Sequence, residues 1–375
     1  MAFTDRDRQF MRRALSLAEQ GRGFVEPNPL VGAVVVKDGR VVGEGRHERF
    51  GGPHAEVFAL REAGQEADGA TLYVTLEPCD HEGKTPPCAP LVADSGVRRA
   101  VIAVLDPTAQ RPRGGVDLLE KRGLVVQTGL CREEAVRLNA GFFKLALTGR
   151  PLVIAKWAMT ADGKIATRTG SSRWISSAEA RRLVHELRGC VDCIIVGART
   201  VTRDDPLLTC RDAERRRIAA RVVLCGARLP EPGSRLVRTA REAPVILAYS
   251  RGREPAVLQS LVDAGCEGLP VAEAAPGRIG IENLLDELGR RRMTNVLVEG
   301  GAETFGAFFD GGLVDRAMVF VSPLVVGGTD ATTAVGGLGV VDVADGLALK
   351  HCRTRCVGPD VLIEGWATDP LSWAS

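Results

Sequence analysis

The chain has 375 residues, of which 45% are hydrophobic and 26% are charged, so it is long enough for two domains with buried cores. Its net charge is only +2, which argues against a dedicated nucleic-acid binder. There is no uncharged apolar run of about 18 residues, which excludes a membrane-spanning helix, and we expect no apolar signal-peptide core after the charged N-terminus.

The first part of the chain alternates helices and strands. A helix is predicted to begin after Thr4, because Thr4 can cap it and Asp5 and Asp7 favour its first turn. The pattern then predicts strands 31–36 and 41–42 around a turn, helix 54–63, strand 70–75, helix 88–95, strand 100–105, helix 116–121, strand 124–126 and a long helix 133–148. This alternation predicts a sheet that is covered by helices on both faces.

The segment Gly149-Arg150-Pro151 is a natural linker, so we predict one domain over 1–148 and a second over 149–375. The second part is predicted to contain strands 152–159, 192–197, 221–225, 244–249 and 295–299, helices 176–188 and 281–288, a polar loop 200–206 and a helix after Gly301. The first of these helices is predicted to start with a capping box from Ser176 to Glu179.

His54, Cys79 and Cys88 form a ligand set that suits zinc. Three protein ligands leave the fourth tetrahedral position to a water, whose pKa zinc lowers to about 7. Glu56 lies two residues after the histidine and can move protons, as in the His-x-Glu…Pro-Cys signature of zinc deaminases. Eight residues separate the cysteines instead of two, and His81 could replace His54, so the sequence leaves the imidazole ligand open.

The predicted elements explain how this cluster could assemble. Residues i and i+2 face apart in the middle of a helix. His54 and Glu56 can therefore converge only at a helix start, which Pro53 favours. Cys88 follows Pro86-Pro87 at another predicted helix start, where exposed N–H groups favour a thiolate.

Three features of the second part are less specific. Lys156 lies inside an apolar strand, so it is either at an edge or in a site, since an unpaired buried charge is costly. The strand that ends at Gly300-Gly301 before a helix could cradle a phosphate or could simply pack tightly. Cys190 and Cys193 lie where a helix leads into a strand, so we interpret them as structural thiols.

Longer runs make a resemblance specific. The runs are 27–32, 52–56, 75–79 and 83–88 in the first part, and 156–159, 162–166, 172–176, 204–209 and 298–301 in the second. In this order they resemble the bifunctional pyrimidine deaminase/reductase of riboflavin biosynthesis, in which the longer cysteine spacing is usual. The resemblance implies an α/β fold class, with an N-terminal cytidine-deaminase-like αβα domain and a C-terminal dihydrofolate-reductase-like α/β domain.

The resemblance also implies an activity and its cofactors. One Zn²⁺ per chain would serve the hydrolytic deamination of 2,5-diamino-6-(5-phosphoribosylamino)pyrimidin-4(3H)-one, with Glu56 as the catalytic residue. NADPH would then reduce the ribosyl side chain of 5-amino-6-(5-phosphoribosylamino)uracil to ribityl. Lys156 and Asp204 are the candidates for polar orientation near the reacting sugar.

The binding residues follow from the same resemblance. Asn28 would hold the pyrimidine, although a proline-bracketed asparagine can also be a plain turn residue, and His47, His81 and Lys84 would contact the ribose phosphate. The reductase substrate would be bound by Lys156, Ser172, Arg188, Leu208, Arg211 and Glu299. NADPH would be bound by Ala158, Trp174, Thr200, Asp204, Gly226, Gly301, Ala302, Glu303, Thr304, Phe305, Gly306 and Ala307.

Two other classes of function share the zinc pattern. A nucleic-acid base deaminase should carry basic and aromatic residues for an extruded strand, whereas aromatics here are 5%. A structural zinc module in a binding protein needs a fourth ligand, which His81 could supply. We expect a cytoplasmic homo-oligomer that acts on a small-molecule phosphoribosylated pyrimidine, with neither nucleic acid nor membrane as a partner.

Overall fold

The computed structural model describes residues 2–109, 111–226, 228–252, 257–275 and 278–373. They form two compact units that meet in the chain between Thr148 and Gly149. The predicted second domain continued to residue 375, but the 3-10 helix Pro370–Trp373 belongs to the first unit. The reason is hydrophobic, because Leu371 and Trp373 pack against the core of the first unit.

The first unit is built on a five-stranded sheet in the order β2-β1-β3-β4-β5. Strand β1 is antiparallel to both β2 and β3, whereas β3, β4 and β5 run parallel. Its elements are α1 Asp5–Glu19, β1 Gly32–Lys37, β2 Arg40–Arg46, α2 Ala55–Ala63, β3 Thr71–Val74, α3 Cys88–Asp94, β4 Arg99–Ile102, α4 Gly114–Lys121, β5 Val125–Thr128, α5 Arg132–Leu138 and α6 Ala140–Thr148.

Alternating side chains of β1 divide the core of this unit into two layers. Ala33 and Val35 pack with α2, α3 and α4 on one face of the sheet. Val34 and Val36 pack with α1 and α5 on the other face. Since successive strand residues point to opposite faces, an uninterrupted apolar strand predicts a sheet covered on both sides. That prediction is confirmed for this unit.

The start of α1 also agrees with the sequence. Thr4 and Asp7 form a capping box, in which the Thr4 hydroxyl accepts from the Asp7 amide at 3.1 Å. Asp7 is buried and also accepts from the Tyr73 hydroxyl at 2.6 Å and from Arg99 at 2.7 Å. Burial alone would raise the pKa of Asp7, but these hydrogen bonds outweigh it and hold the pKa well below its ordinary value.

The long helix predicted over 133–148 is wrong, because the structure breaks it into α5 and α6 at Asn139. The Asn139 side chain is buried and bonds the backbone of Leu30 twice, accepting from its N–H at 2.7 Å and donating to its carbonyl at 2.9 Å. Asparagine readily exchanges helical hydrogen bonds for such local backbone bonds. The break fastens α5 to the loop that carries Asn28.

The second unit contains a nine-stranded sheet in the order β10-β9-β8-β7-β13-β6-β14-β16-β15. The seven strands from β10 to β14 in this order are parallel, and β16 and β15 close the edge antiparallel. Strands β11 and β12 form a separate pair. The strands are β6 Leu152–Thr160, β7 Cys193–Gly197, β8 Ala220–Cys225, β9 Val245–Ser250, β10 Glu267–Val271, β11 Glu273–Ala275, β12 Arg278–Ile279, β13 Asn295–Gly300, β14 Arg316–Ser322, β15 Lys350–Val357 and β16 Asp360–Trp366.

Helices cover this sheet, and one face is packed by the apolar sides of α11 and α12. The helices are α7 Ala178–Arg188, α8 Ala198–Asp204, α9 Arg235–Arg238, α10 Leu258–Asp263, α11 Ile281–Arg290 and α12 Ala302–Asp310. In the described part of the chain, no helix has the length and apolar character needed to cross a membrane.

Two local predictions in this unit are wrong. The segment predicted as a polar loop over 200–206 is largely the helix α8, whose buried Val201 packs it against the sheet despite its polar composition. The cap of α7 is Ser177 rather than Ser176, since the Ser177 hydroxyl accepts from the Ala180 amide at 3.2 Å. Tertiary packing overrides local propensity in the first case.

Candidate functional site

Three potential metal ligands meet in the first unit. The ligand atoms of His54, Cys79 and Cys88 all lie within 4.8 Å of one another. The His54 Nδ1 is 3.2 Å from the Cys88 Sγ and 3.6 Å from the Cys79 Sγ. His81 is not part of this group, and its Nδ1 lies 3.5 Å from the Asp80 carboxylate instead. The structure therefore brings His54, not His81, to the two thiols.

The local fold explains this convergence. His54 is the N-cap of α2 and Cys88 is the first residue of α3, so both ligands lie at helix starts. Strand β2 approaches α2 so closely that a Cβ on Gly45 would lie 2.1 Å from the Ala55 carbonyl oxygen. A Cβ on Gly115 in α4 would similarly lie 1.9 Å from the Pro78 carbonyl oxygen, next to Cys79. Only glycine permits these contacts.

Glu56 is buried beside the cluster, with 3% of its surface exposed. Its Oε2 has no hydrogen-bond partner among the described residues, which is unusual for a buried carboxylate. Burial raises the pKa of Glu56, although the nearby His54 opposes the shift. A buried carboxyl group with an unpartnered oxygen is suited to taking up and releasing a proton.

The thiols differ in their electrostatic setting. The hydrogen bond with Cys88, followed by that with His54, lowers the pKa of Cys79. The Cys88 amide at the start of α3 also points at the Cys79 sulfur, at 3.4 Å. Thiolate is the form in which cysteine binds metals, and an N–H donor and a helix start both favour it.

His47 lies beside His54, with 5.5 Å between their ring centres, and Lys84 precedes Thr85, whose Oγ1 is 3.2 Å from the His54 Nε2. The Asn28 Nδ2 is 3.1 Å from the His47 Nε2, and the His47 Nδ1 is 3.0 Å from the Pro53 carbonyl oxygen. A carbonyl can only accept, so His47 carries its proton on Nδ1 and accepts from Asn28 on Nε2. Lys84 places its ammonium 3.7 Å from the centre of the Phe50 ring.

A cavity of about 700 Å³ opens in the second unit. It is lined by residues of β6 and by the carboxyl ends of β7 and β13. Strand β13 lies between β6 and β7, with β8, β9 and β10 added on one side and β14 on the other, so the order in which strands are added reverses here. Such a switch point at the carboxyl ends of parallel strands is where open α/β sheets bind ligands, and the volume suits a small molecule.

The floor of this cavity holds three charges. Arg188 donates two parallel hydrogen bonds to Glu299, at 2.6 and 2.7 Å. Burial alone would raise the pKa of Glu299, but Arg188 and then Lys156 outweigh it and lower the pKa. Burial lowers the pKa of Lys156, while Glu299 opposes the shift. The two cations and one carboxylate leave a net positive floor for an anionic ligand.

Most of the predicted reductase residues line the cavity. Those in its wall are Lys156, Ala158, Ser172, Trp174, Arg188, Thr200, Asp204, Leu208, Arg211, Glu299, Gly301, Ala302 and Phe305. Five predicted cofactor residues lie outside this lining, namely Gly226, Glu303, Thr304, Gly306 and Ala307. Gly226 is exposed after β8, and Glu303 forms an ion pair with Arg199 at 2.9 Å.

Sequence reasoning missed most of the positive charge of this cavity. Its wall also includes a further set of basic side chains, Arg173, Arg181, His185, Arg199, Arg203 and Arg235. Arg181 lies over the Trp174 ring at 4.5 Å, so the aromatic residue and the cation form one wall. The only sequence signal was the high arginine content of segments 173–188 and 199–211, which is also typical of a solvated helix face.

Comparison with known protein families matches both units. Residues 4–104 match the model of the cytidine and deoxycytidylate deaminase zinc-binding region, and residues 151–363 match the RibD C-terminal domain. The predicted fold class, a cytidine-deaminase-like domain followed by a dihydrofolate-reductase-like domain, is confirmed by these matches. The zinc-binding region contains all three clustered ligands.

Relatives with both parts are similar over nearly the whole chain. The riboflavin biosynthesis protein RibD of Aquifex aeolicus is 41% identical over 357 residues, which cover 95% of this chain and 97% of the relative. That of Escherichia coli is 38% identical, covering 95% of this chain and 98% of the relative. Among solved structures, Acinetobacter baumannii RibD has a TM-score of 0.83 at 33% identity, covering 96% of this chain and 98% of that chain.

Proposed function

The chain belongs to the RibD family of riboflavin biosynthesis enzymes, and from this premise we propose how its residues divide two successive reactions. The predicted function is confirmed at the level of the family, which is a bifunctional deaminase and reductase that uses zinc and NADPH. Its substrates are small phosphoribosylated pyrimidines. The residues that bind and react are our proposal.

The residues of the first unit fit a zinc ion. His54, Cys79 and Cys88 supply one nitrogen and two sulfurs, which leaves one tetrahedral position free of protein ligands. The unpartnered, buried Oε2 of Glu56 is the observation that carries the assignment, since it gives a proton acceptor beside the ligand cluster. When bound, zinc supplies a water of lowered pKa as the nucleophile.

Glu56 then moves the protons of the deamination. It takes one proton from the attacking water and delivers one to the departing amine, so the C–N bond is replaced by a carbonyl and ammonia leaves. Asn28 holds the pyrimidine ring, with its side-chain orientation fixed by His47. Lys84 contacts the ribose phosphate, because a cation suits a dianion, and His81 and His47 are further candidates; His47 would have to give up its contact with Asn28 to donate to the phosphate.

The second unit performs the reduction. NADPH, when bound in this cavity, would supply the hydride for the ribosyl carbon; the ring C–O bond would break, and its oxygen would take up one proton to give the hydroxyl of the ribityl chain. Lys156 and Asp204 orient the sugar, and Ser172, Arg188, Leu208, Arg211 and Glu299 hold the rest of the substrate. Asp204 lies at the end of α8 on the cavity wall, where burial raises its pKa.

The cofactor would lie against the start of α12. Gly301 precedes this helix, whose free N–H groups suit the cofactor's phosphates. Ala158, Trp174, Thr200 and Asp204 form the facing wall. Phe305 contacts the cofactor within the cavity, and we keep Gly226, Glu303, Thr304, Gly306 and Ala307 as proposed contacts of a cofactor that extends past it.

We further propose that the enzyme is a homo-oligomer in the cytoplasm. Leu338, Val341 and Val343 are 94%, 98% and 97% exposed, which favours a partner surface over open solvent. All ten cysteines are free, which suits a reducing compartment. Light scattering of the purified protein tests the first point, because a monomer at micromolar concentration would contradict it.

The proposed function is tested by conversion of one substrate through both steps. Zinc-loaded protein should release one ammonia and oxidise one NADPH per phosphoribosylated diaminopyrimidinone, and mass spectrometry should find the ribityl product. Release of ammonia without NADPH oxidation would contradict the reductase assignment. Absence of both signals would contradict the whole proposal.

A further inference from the structure

The segment that follows α8 reaches the reductase cavity in an unfavourable backbone conformation. Asp205 and Leu208 have φ of 38° and 53°, in the left-handed region that non-glycine residues avoid. Asp204, Leu207 and Leu208 all line the cavity. Residues in such conformations persist only where their surroundings determine them, so other contacts must hold this segment in place.

Arg221 in β8 supplies one of these contacts from beneath the cavity. Its side chain has no exposed surface, and its Nη1 donates to the Leu207 carbonyl at 3.1 Å and to the Thr239 hydroxyl at 2.7 Å. Its Nη2 donates to the Thr239 carbonyl at 2.8 Å and also to the Ala243 carbonyl. The guanidinium thus joins the Leu207 segment to the end of α9 and to the approach to β9.

This arginine is unusual because it is fully buried and its hydrogen bonds go mainly to backbone carbonyls. Among the described residues it forms no ion pair, and its bonded partners are three backbone carbonyls and one hydroxyl. A buried charge without a counterion is costly, and an apolar side chain of similar volume would fill the space at lower cost. An apolar side chain has no donors, however, whereas the planar, rigid guanidinium can bridge two backbone segments.

A second contact fastens the same segment to α9. The Asp205 carboxylate accepts from the backbone amide of Arg235, the first residue of α9, at 2.7 Å. Asp205 and Leu207 are therefore both tied to this short helix, one directly and one through Arg221. Leu208, the next residue, is buried against the cavity at 4% exposure, so its position depends on where the Leu207 carbonyl is held.

We propose that Arg221 is a positioning residue for the reductase reaction. It fixes the Leu207–Leu208 backbone and thereby the part of the cavity wall that contacts the ribosylated substrate. Arg221 does not line the cavity, so it acts through the segment it holds. This inference rests on the proposed function of the second unit. It adds a residue that neither the sequence motifs nor the cavity lining identify.

Arg221→Met removes every donor and keeps the volume, and Thr239→Val is its matched control. Valine at 239 removes the hydroxyl that accepts from the Arg221 Nη1 and that donates to the Arg235 and Leu236 carbonyls, but it leaves the Leu207 carbonyl bonded to Arg221. For Arg221→Met we expect the KM for the reductase substrate to rise at least 10-fold, with kcat within about 3-fold of wild type. For Thr239→Val we expect KM within 2-fold. Ammonia release by the first unit should not change in either variant.

Hydrogen exchange of the ligand-free protein gives a readout that is independent of turnover. Peptides that cover 205–208 should exchange faster in Arg221→Met and at the wild-type rate in Thr239→Val. Arg221→Lys, which can still reach one carbonyl, should give an intermediate KM, and it decides the question if the methionine variant does not fold.

Two results would overturn the proposal. One is an unchanged KM and unchanged exchange in Arg221→Met or Arg221→Lys despite lower thermal stability, which would make the arginine merely structural. The other is an equal rise of KM in Thr239→Val, which would dissociate the effect from the Leu207 contact. A wild-type enzyme that binds NADPH without oxidising it would instead contradict the proposed function, and the exchange result would stand apart from that failure.

Discussion

Replacing Glu299 with glutamine disturbs the charge balance of the reductase cavity with almost no change of shape. The side chains of Arg188 and Glu299 are only 13% and 8% exposed, and two hydrogen bonds of 2.6 and 2.7 Å join them. Glutamine presents an N–H group to one of these donors and removes the carboxylate that also favours the charged form of Lys156. The buried Arg188 guanidinium then has no carboxylate beside it, and Lys156 loses the group that stabilises its ammonium form.

The magnitude follows from this geometry. Breaking a buried ion pair by removing one partner costs about 3–5 kcal/mol, and we take about 3 kcal/mol because both side chains keep some exposure. In a domain of 150–250 residues, 1 kcal/mol shifts Tm by about 2–4 °C. The expected loss is therefore about 6–12 °C in the unfolding of the second unit.

Tryptophan fluorescence during heating measures this loss in the full chain, since Trp157, Trp174 and Trp366 lie in the second unit and Trp373 in the first. The matched control is Glu303→Gln, which breaks the exposed pair with Arg199 and should shift Tm by less than about 3 °C. An equal shift in the two variants would refute the reasoning, because it would mean that solvent already screens the Glu299 pair.

Three further predictions concern the first unit. Asp7→Asn should lower the free energy of unfolding at pH 7 by about 2–3 kcal/mol. Because the pKa of Asp7 is depressed in the folded state, this difference between wild type and variant should shrink as pH falls below about 4. Urea unfolding at pH 7 and at pH 3 measures the difference, and equal values at the two pH values would contradict the prediction. Phe50→Leu removes the ring that the Lys84 ammonium contacts, so the KM for the deaminase substrate should rise roughly 2- to 5-fold with kcat retained. An unchanged KM would show that the Phe50 ring does not position Lys84 for the substrate. Cys88→Ser should reduce bound zinc, measured by elemental analysis, below about a tenth of an equivalent per chain. The control is Cys352→Ser, which changes an exposed cysteine outside the cluster and should keep a full equivalent.

Local sequence signals predicted most elements of the fold because they act within a few residues. The Thr4–Asp7 capping box fixes the start of α1, and the linker at Gly149 marks the division into two units. The break at Asn139 could not be predicted, since its cause is a pair of bonds to Leu30, which is 109 positions away. The helix α8 was missed for a related reason, because its stability comes from packing rather than from propensity.

The candidate metal site shows the same division between local and distant causes. The positions of His54 and Cys88 at helix starts followed from the neighbouring prolines. The structure groups His54 rather than His81 with the two thiols, in agreement with the His-x-Glu signature. Ligand type alone left both histidines open, and the position of His81 beside Asp80 came from the structure.

The role of Arg221 lay furthest from sequence reasoning. An arginine at the start of the apolar strand β8 is typical of an edge position, yet here it is fully buried. Its partners Leu207, Thr239 and Ala243 lie 14, 18 and 22 positions away in loops and short turns. Only the folded arrangement shows that it joins them.

The central claim, that two separate sites on one chain perform the two reactions, is tested most directly by Glu56→Gln. Ammonia release and NADPH oxidation would be followed together, first with the deaminase substrate and then with the deaminated intermediate. We predict that the variant loses ammonia release by a factor of about 10²–10⁴ and oxidises NADPH at the wild-type rate when it is given the intermediate. Ammonia release at the wild-type rate, or loss of both reactions with the fold intact, would contradict the account.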